Sequence, residues 1–191
     1  MVLVVGLLGS PRIGGNCDVM LDAALEGARE AGAKVKKVEL ARLDIEFCRA
    51  CNSCFETGEC AQEDEMEEVY SLLERADGLL LCSPIWFSGL SSPTKTVIDR
   101  CQCLWARGEF LGKPLGEGRA RRAAFISVAG DEKESFRNAV SEARSFFVAI
   151  GFKPMGELLF PGASEKGDIL KVPGATEKAK DLGRRMALGL A

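Results

Sequence analysis

The chain has 191 residues, 47% of them apolar, and a net charge of −3. That length supports one domain with a sizeable core and not two, so a single domain over residues 1–191 is expected. The charge speaks against nucleic-acid binding, which needs clustered Lys and Arg, and no apolar run approaches the ~20 residues of a membrane span.

Residues 2–8 form a continuous apolar run closed by Gly9-Ser10, the pattern of a strand buried on both faces of a parallel sheet. The run lacks a basic leader and turns at once into a Gly/Ser/Pro loop. It therefore reads as a strand and not as a signal peptide, and a cytoplasmic protein is expected. Residues 16–31 read as a helix. Val19, Met20, Ala23, Ala24, Gly27, Ala28 and Ala31 fall on one face, and Asp18, Asp22, Glu26 and Glu30 on the other. The small inner residues would let this helix lie close to a sheet. A second strand is expected over 34–40, a helix over 64–76 and a third buried strand over 78–83, ending at Pro84. Pro93 opens the next helix, which runs to about Trp105, and residues 107–119 read as an excursion loop. A fourth strand (123–128), a helix (133–150), a fifth strand (153–160) and a helix (175–190) complete the chain. This alternation implies a doubly wound α/β fold: a flavodoxin-like five-stranded parallel sheet of order 2-1-3-4-5, with ligands at the carboxyl ends of its strands.

Three loops fall at that edge. GSPRIGGN (9–16) is neither a Walker loop nor a GxGxxG fingerprint. Its amides, Arg12 and an N-capping Asn16 suit a terminal phosphate, although a plain capped strand-to-helix turn would look the same. SPIWFSGLSSPTK (83–95) carries Trp86-Phe87, which suits stacking on a planar ring or covering an oligomer contact. SVAGDEKES (127–135) offers small residues and free amides for a ring edge.

The chain has eight cysteines and no histidine. The missing histidine removes Ser-His-Asp and Cys-His mechanisms and His-ligated zinc, whereas redox chemistry on a bound cofactor needs none of these. Cys48, Cys51, Cys54 and Cys60 crowd into FCRACNSCFETGEC (47–60), within a polar loop of about 47–62. The spacing C-x2-C-x2-C-x5-C suits the grip on a 4Fe–4S cubane. Structural zinc usually takes two separated knuckles, and redox-switching thiols are the third reading. Cys82, Cys101 and Cys103 read as small buried apolar residues. The run Arg119 to Arg122 reads as a solvated loop end, or as a contact for an acidic redox partner or a nicotinamide phosphate.

GSPRIGGN and SPIWF…SSPTKTVIDR resemble the NAD(P)H-dependent FMN reductase group of flavodoxin-like proteins. The cysteine run is similar, more narrowly, to archaeal and bacterial iron–sulfur flavoproteins, which carry FMN and one 4Fe–4S cluster per subunit. The similarity extends to KGDILKVPGATEKAKDLGRR near the end. It implies an FMN phosphate held around Ser10, Arg12, Gly15, Asn16 and Cys17. It implies a ring packed by Pro84, Ile85, Trp86, Phe87, Ser88 and Gly89, with Ala129 and Gly130 at its edge. Cys48, Cys51, Cys54 and Cys60 would be the metal ligands. Cys17 stands where relatives often place Ser or Thr; its thiol is a weaker donor, but its amide remains. The resemblance further implies a ferredoxin-like electron donor and a homo-oligomer (dimer or tetramer) in which cluster and flavin of neighbouring subunits approach. The expected function is electron transfer between a one-electron donor and a two-electron acceptor. The alternatives are an NAD(P)H-dependent FMN or quinone reductase without a cluster, and a flavodoxin-like binding module with structural zinc.

Overall fold

β1 (Leu3–Leu8) is buried from Val4 onward because it lies between two neighbours, β2 (Lys34–Glu39) and β3 (Gly78–Trp86). Beyond β3 come β5 (Arg122–Val128) and β6 (Lys153–Phe160), all parallel, after a two-residue strand β4 (Gly89–Leu90). The five parallel strands follow the expected order, with the central ones reading as unbroken apolar runs. The addition is β4, which folds back antiparallel on the end of β3, pairing Ile85 with Leu90 and Trp86 with Gly89. This computed structural model describes residues 1–189.

Two helical layers enclose the sheet. On one face lie α1 (Asn16–Glu30) and α7 (Ala175–Ala187), with a core that includes Val4, Leu8, Met20, Leu21, Leu80, Ile126 and Leu182. On the other lie α3 (Met66–Arg75), α4 (Ser92–Arg100), α5 (Gln102–Leu111) and α6 (Arg137–Ala149), around Leu7, Val69, Leu73, Leu81, Val97, Phe125 and Phe147. A one-turn helix α2 (Cys54–Thr57) stands apart in the cysteine loop. Among the described residues, no helix is long and apolar enough to cross a membrane.

Several local expectations change. The small residues of α1 serve its contact with α7: a Cβ on Gly27 would lie 2.0 Å from the Lys180 carbonyl oxygen, and one on Gly183 would lie 1.7 Å from that of Ala24. Asp18, expected outside, is buried because Lys37 of β2 pairs with it. The helix opened by Pro93 breaks at Cys101, and its continuation α5 runs to Leu111 before left-handed Gly112 (φ 63°) stops it, so part of the expected excursion loop is helical. The final helix is described to Ala187; residue 190 lies outside the described residues.

The arginine run is only partly a solvated end: Arg119 is exposed and Arg121 is not. Arg121 is buried, lies 3.7 Å from the Phe152 ring centroid, and donates to the carbonyls of Leu73, Ala76 and Ile150. It thereby caps the carboxyl ends of α3 and α6 with one cation. Arg119 donates to the Glu74 and Arg75 carbonyls at 2.9 Å and pairs with Asp77. These guanidinium groups are occupied by the fold itself.

Candidate functional site

The carboxyl ends of β1, β3 and β5 meet at the point where the strand order reverses, the usual ligand crevice of such sheets. There the Gly9 N–H donates to the Cys82 carbonyl at 2.8 Å. Gly9 has no room for a side chain, since a Cβ would fall 1.7 Å from Thr94 Oγ1. A buried hydroxyl network lies behind it: Ser91 donates to the Gly9 carbonyl at 2.7 Å and accepts the hydroxyls of Thr94 at 2.9 Å and Ser83 at 3.2 Å. Ser127 of β5 donates to the Ser83 carbonyl at 2.7 Å. Every member has a partner, so the network fixes three strand ends in one arrangement. In front of it opens a cleft of about 570 Å³, a fair size for a cofactor ring and its tail.

Of the first-loop residues, Ser10, Arg12, Asn16 and Cys17 line this cleft. Ser10 is buried and its Oγ accepts the Arg12 N–H at 3.2 Å. The Arg12 guanidinium is exposed and reaches the Ser164 carbonyl at 3.4 Å. Gly15, not Asn16, holds the N-cap position of α1, and it is set back from the cleft, where a Cβ would meet the Arg12 carbonyl oxygen at 2.8 Å. Asn16 does not cap α1 with its side chain. Its amide donates to the carbonyls of Ala163 (3.0 Å) and Glu165 (2.9 Å), while its oxygen accepts the N–H groups of Gly167 (3.0 Å) and Ile169 (3.3 Å). With its donors and acceptor so employed, Asn16 is the bracket of the 163–169 segment. Asp18 accepts the Gly14 N–H at 2.6 Å, an amide the sequence left open to a phosphate.

The second loop divides. Pro84, Ile85 and Trp86 line the cleft. Phe87 (φ 48°) and Ser88 (φ 60°) are both left-handed and form the two-residue turn joining β3 to β4. Such a turn favours Asn-Gly, and a bulky Phe at positive φ is a genuine outlier. Phe87 is fully exposed at the tip, and Ser88 Oγ donates to Glu134 at 3.1 Å. Phe87, Ser88 and Gly89 therefore lie beyond the cleft lining. In the third loop Gly130 lines the cleft, but Ala129 has no free amide: its N–H donates to the Phe160 carbonyl at 2.9 Å. The opposite wall is 163–166 with Val128. Sequence reasoning missed it, although Lys166, which opens the quoted C-terminal stretch, belongs to it.

The cysteine loop follows a 3-10 turn at Leu40–Arg42. Ala50 (φ 51°) and Asn52 (φ 62°) bend the chain on either side of Cys51, and Gly58 (φ 74°) ends α2 and turns the chain toward Cys60. Phe55 packs at 6.2 Å from Trp105 and 4.8 Å from Phe110, seating α2 on α5. All four thiols are free; Cys51 is exposed and the others are partly buried. Cys48 borders a hollow of about 580 Å³ with Cys101 and Trp105, and Cys60 one of about 290 Å³ with Tyr70 and Cys103. Burial pushes the Cys54 thiol up, and the neighbouring sulfurs of Cys51, Cys60 and Cys48 add to this; hydrogen bonding to Ser53 holds Cys51 below its usual range. Among the described residues no three Cys, Asp or Glu side chains stand close enough together to hold a metal ion. The donor set nevertheless fits a 4Fe–4S cluster, being four unpaired thiols on one bent segment. Beside it, the buried Arg100 Nε and Gln62 Oε1 have no hydrogen-bond partner among the described residues. Cys82, Cys101 and Cys103 are buried as expected.

A doubly wound parallel sheet with a cleft at its switch point gives the chain a flavodoxin-like fold, and its family match makes it a flavoprotein oxidoreductase. The chain belongs to the NADPH-dependent FMN reductase family, which it matches over residues 2–165. It is 33% identical to an iron-sulfur flavoprotein of Archaeoglobus fulgidus over 187 residues, covering 96% of this chain and 78% of that one. It is 32% identical to an iron-sulfur flavoprotein of Methanocaldococcus jannaschii, covering 95% and 84%. Among solved structures, a flavone reductase superposes with a TM-score of 0.75 at 24% identity, covering 98% of this chain and 62% of that one, which speaks to the fold.

Proposed function

We propose that this chain is an electron-transfer flavoprotein that holds FMN in the cleft and a 4Fe–4S cluster on Cys48, Cys51, Cys54 and Cys60. When bound, FMN exchanges one or two electrons and the cluster one, so the pair links a ferredoxin-like one-electron donor to a two-electron acceptor. The observation that carries this reading is the coexistence of a switch-point cleft and a segment with four free thiols, both built against α4. Within the cleft Ser10, Arg12 and the amide of Cys17 face the phosphate end, and Pro84 to Trp86 and Gly130 the ring. The working form is a cytoplasmic homo-oligomer, a dimer or tetramer in which cluster and flavin of neighbouring subunits approach.

Protein purified without oxygen is expected to be brown-yellow, with about four iron and four acid-labile sulfide, as a cubane requires, and about one FMN per chain. Stoichiometric zinc without sulfide, from iron-replete cells, would reject the cluster and favour a structural-zinc module.

Arg12→Ala is expected to weaken FMN roughly tenfold or more while riboflavin binding changes little, because a charge-assisted contact to phosphate is lost. Asn16→Ala is expected to weaken both ligands together, since it releases the wall at 163–169. Paired titrations of the two flavins read this directly. Equal loss of both on Arg12→Ala would mean that the first loop does not read phosphate.

A second reading, an NAD(P)H-dependent FMN or quinone reductase with redox-active cysteines, is favoured by the spread of the four sulfurs and by the family's description. Rapid bleaching of the flavin by NAD(P)H in iron-free protein distinguishes it.

A further inference from the structure

Arg100 is the last residue of α4, and its side chain is completely buried. Its Nη1 donates to the Glu46 carbonyl at 2.8 Å and to Asp64 Oδ2 at 2.5 Å. Its Nη2 donates to Asp64 Oδ1 at 3.1 Å and to the Gln62 carbonyl at 3.3 Å. Asp64 in turn accepts the Glu46 N–H at 3.0 Å. Glu46 stands two residues before Cys48, and Gln62 two residues after Cys60. One guanidinium therefore grips the chain at both the exit and the re-entry of the cysteine loop.

The same residue touches the sulfur-lined hollow from behind. Its carbonyl accepts the Tyr70 hydroxyl at 2.8 Å and the Cys103 thiol at 3.5 Å, and Tyr70 and Cys103 line that hollow with Cys60. The guanidinium is not spent on these contacts. Its Nε–H has no acceptor among the described residues, although buried donors in folded proteins are almost always paired. A lysine would supply a point charge and could not span two chain segments in one plane.

We propose that Arg100 is the positioning residue of the cysteine loop, pinning residue 46 to residues 62–64 so that the two ends of the loop are held together, with its unpartnered Nε–H left to donate to a sulfur-rich group bound by the loop. This rests on the reading of the four thiols as cluster ligands. The fixed cation also favours the extra electron on such a group, because reduction adds negative charge beside it.

The test compares the parent with Arg100→Met and Arg100→Lys. In iron-free protein, peptide-resolved alkylation by iodoacetamide should modify Cys54 and Cys60 about tenfold faster in both variants, because the loop necks open locally. After reconstitution with iron and sulfide, Arg100→Met should retain less cluster than the parent through gel filtration. Its cluster midpoint should fall by about 59 mV, a tenfold change in a one-electron equilibrium. Arg100→Lys keeps the charge and should recover part of that shift without restoring slow alkylation. If Arg100→Met fails to fold, Arg100→Lys alone must show faster alkylation and a lowered midpoint. Unchanged alkylation would overturn the pinning of the necks, and an unchanged midpoint would overturn the Nε–H donation and leave a purely structural residue. A parent that takes up no iron and sulfide would sink the cluster reading and the donation with it, while alkylation would still judge the necks.

Discussion

Cys60→Ala is expected to leave the chain folded and FMN-bound while flavin reduction by reduced ferredoxin slows about tenfold or more, because three thiolates hold a cubane poorly. Cys60 lies beyond the Gly58 turn and outside the sheet, and none of the cleft-lining residues belongs to its loop. Losing one sulfur there leaves the hydroxyl network behind the cleft undisturbed. Direct reduction by dithionite bypasses the loop and should change much less. Rapid-mixing measurements of flavin bleaching with the two reductants separate the effects. A variant shown to lack iron that still takes electrons from ferredoxin at the parent rate would place the loop off the route, and the plain reductase reading would move ahead.

Gly183→Ala is expected to be the most damaging small change to the scaffold. The new methyl carbon would sit 1.7 Å from the Ala24 carbonyl oxygen and 3.1 Å from the Ala28 nitrogen. Both are helix backbone, which cannot swing aside as a side chain would, so α1 and α7 must part along a face packed with Ala24, Ala28, Ala179 and Leu182. Overpacking of a core costs about 1–3 kcal/mol, and a backbone obstacle belongs at the top of that range or above it. For a chain of this size, about 3 kcal/mol lowers the melting temperature by roughly 6–12 °C. Thermal unfolding of flavin-free protein is the measurement, since bound flavin would shift the midpoint by mass action. An unchanged midpoint would mean that the two helices separate freely and that Gly27 and Gly183 are not a packing requirement.

The sequence discloses whatever depends on near neighbours. Residues 2–8 and 78–83 announce buried parallel strands because burial on both faces leaves only apolar positions. The cysteine spacing is likewise local. Asn16 reads in sequence as a cap and a phosphate contact, since its partners in the fold stand about 150 residues away. Asp18 was assigned to the solvent face by helical period, and Lys37 from a neighbouring strand overrides that period. The tight turn at Phe87-Ser88 was hidden because its residues contradict the preference of the turn. Arg121 looks like a surface charge in sequence, and only the carbonyl groups brought around it by distant helices make it internal.

The place of α4 has a further consequence. Ser91 at its start bonds the Gly9 carbonyl behind the cleft, and Arg100 at its end grips the cysteine loop; nine helical residues set these ends about 13 Å apart. A helix that short opens as one cooperative segment and not residue by residue. Whatever protects its amides therefore guards two centres at once, and a single opening event uncovers both.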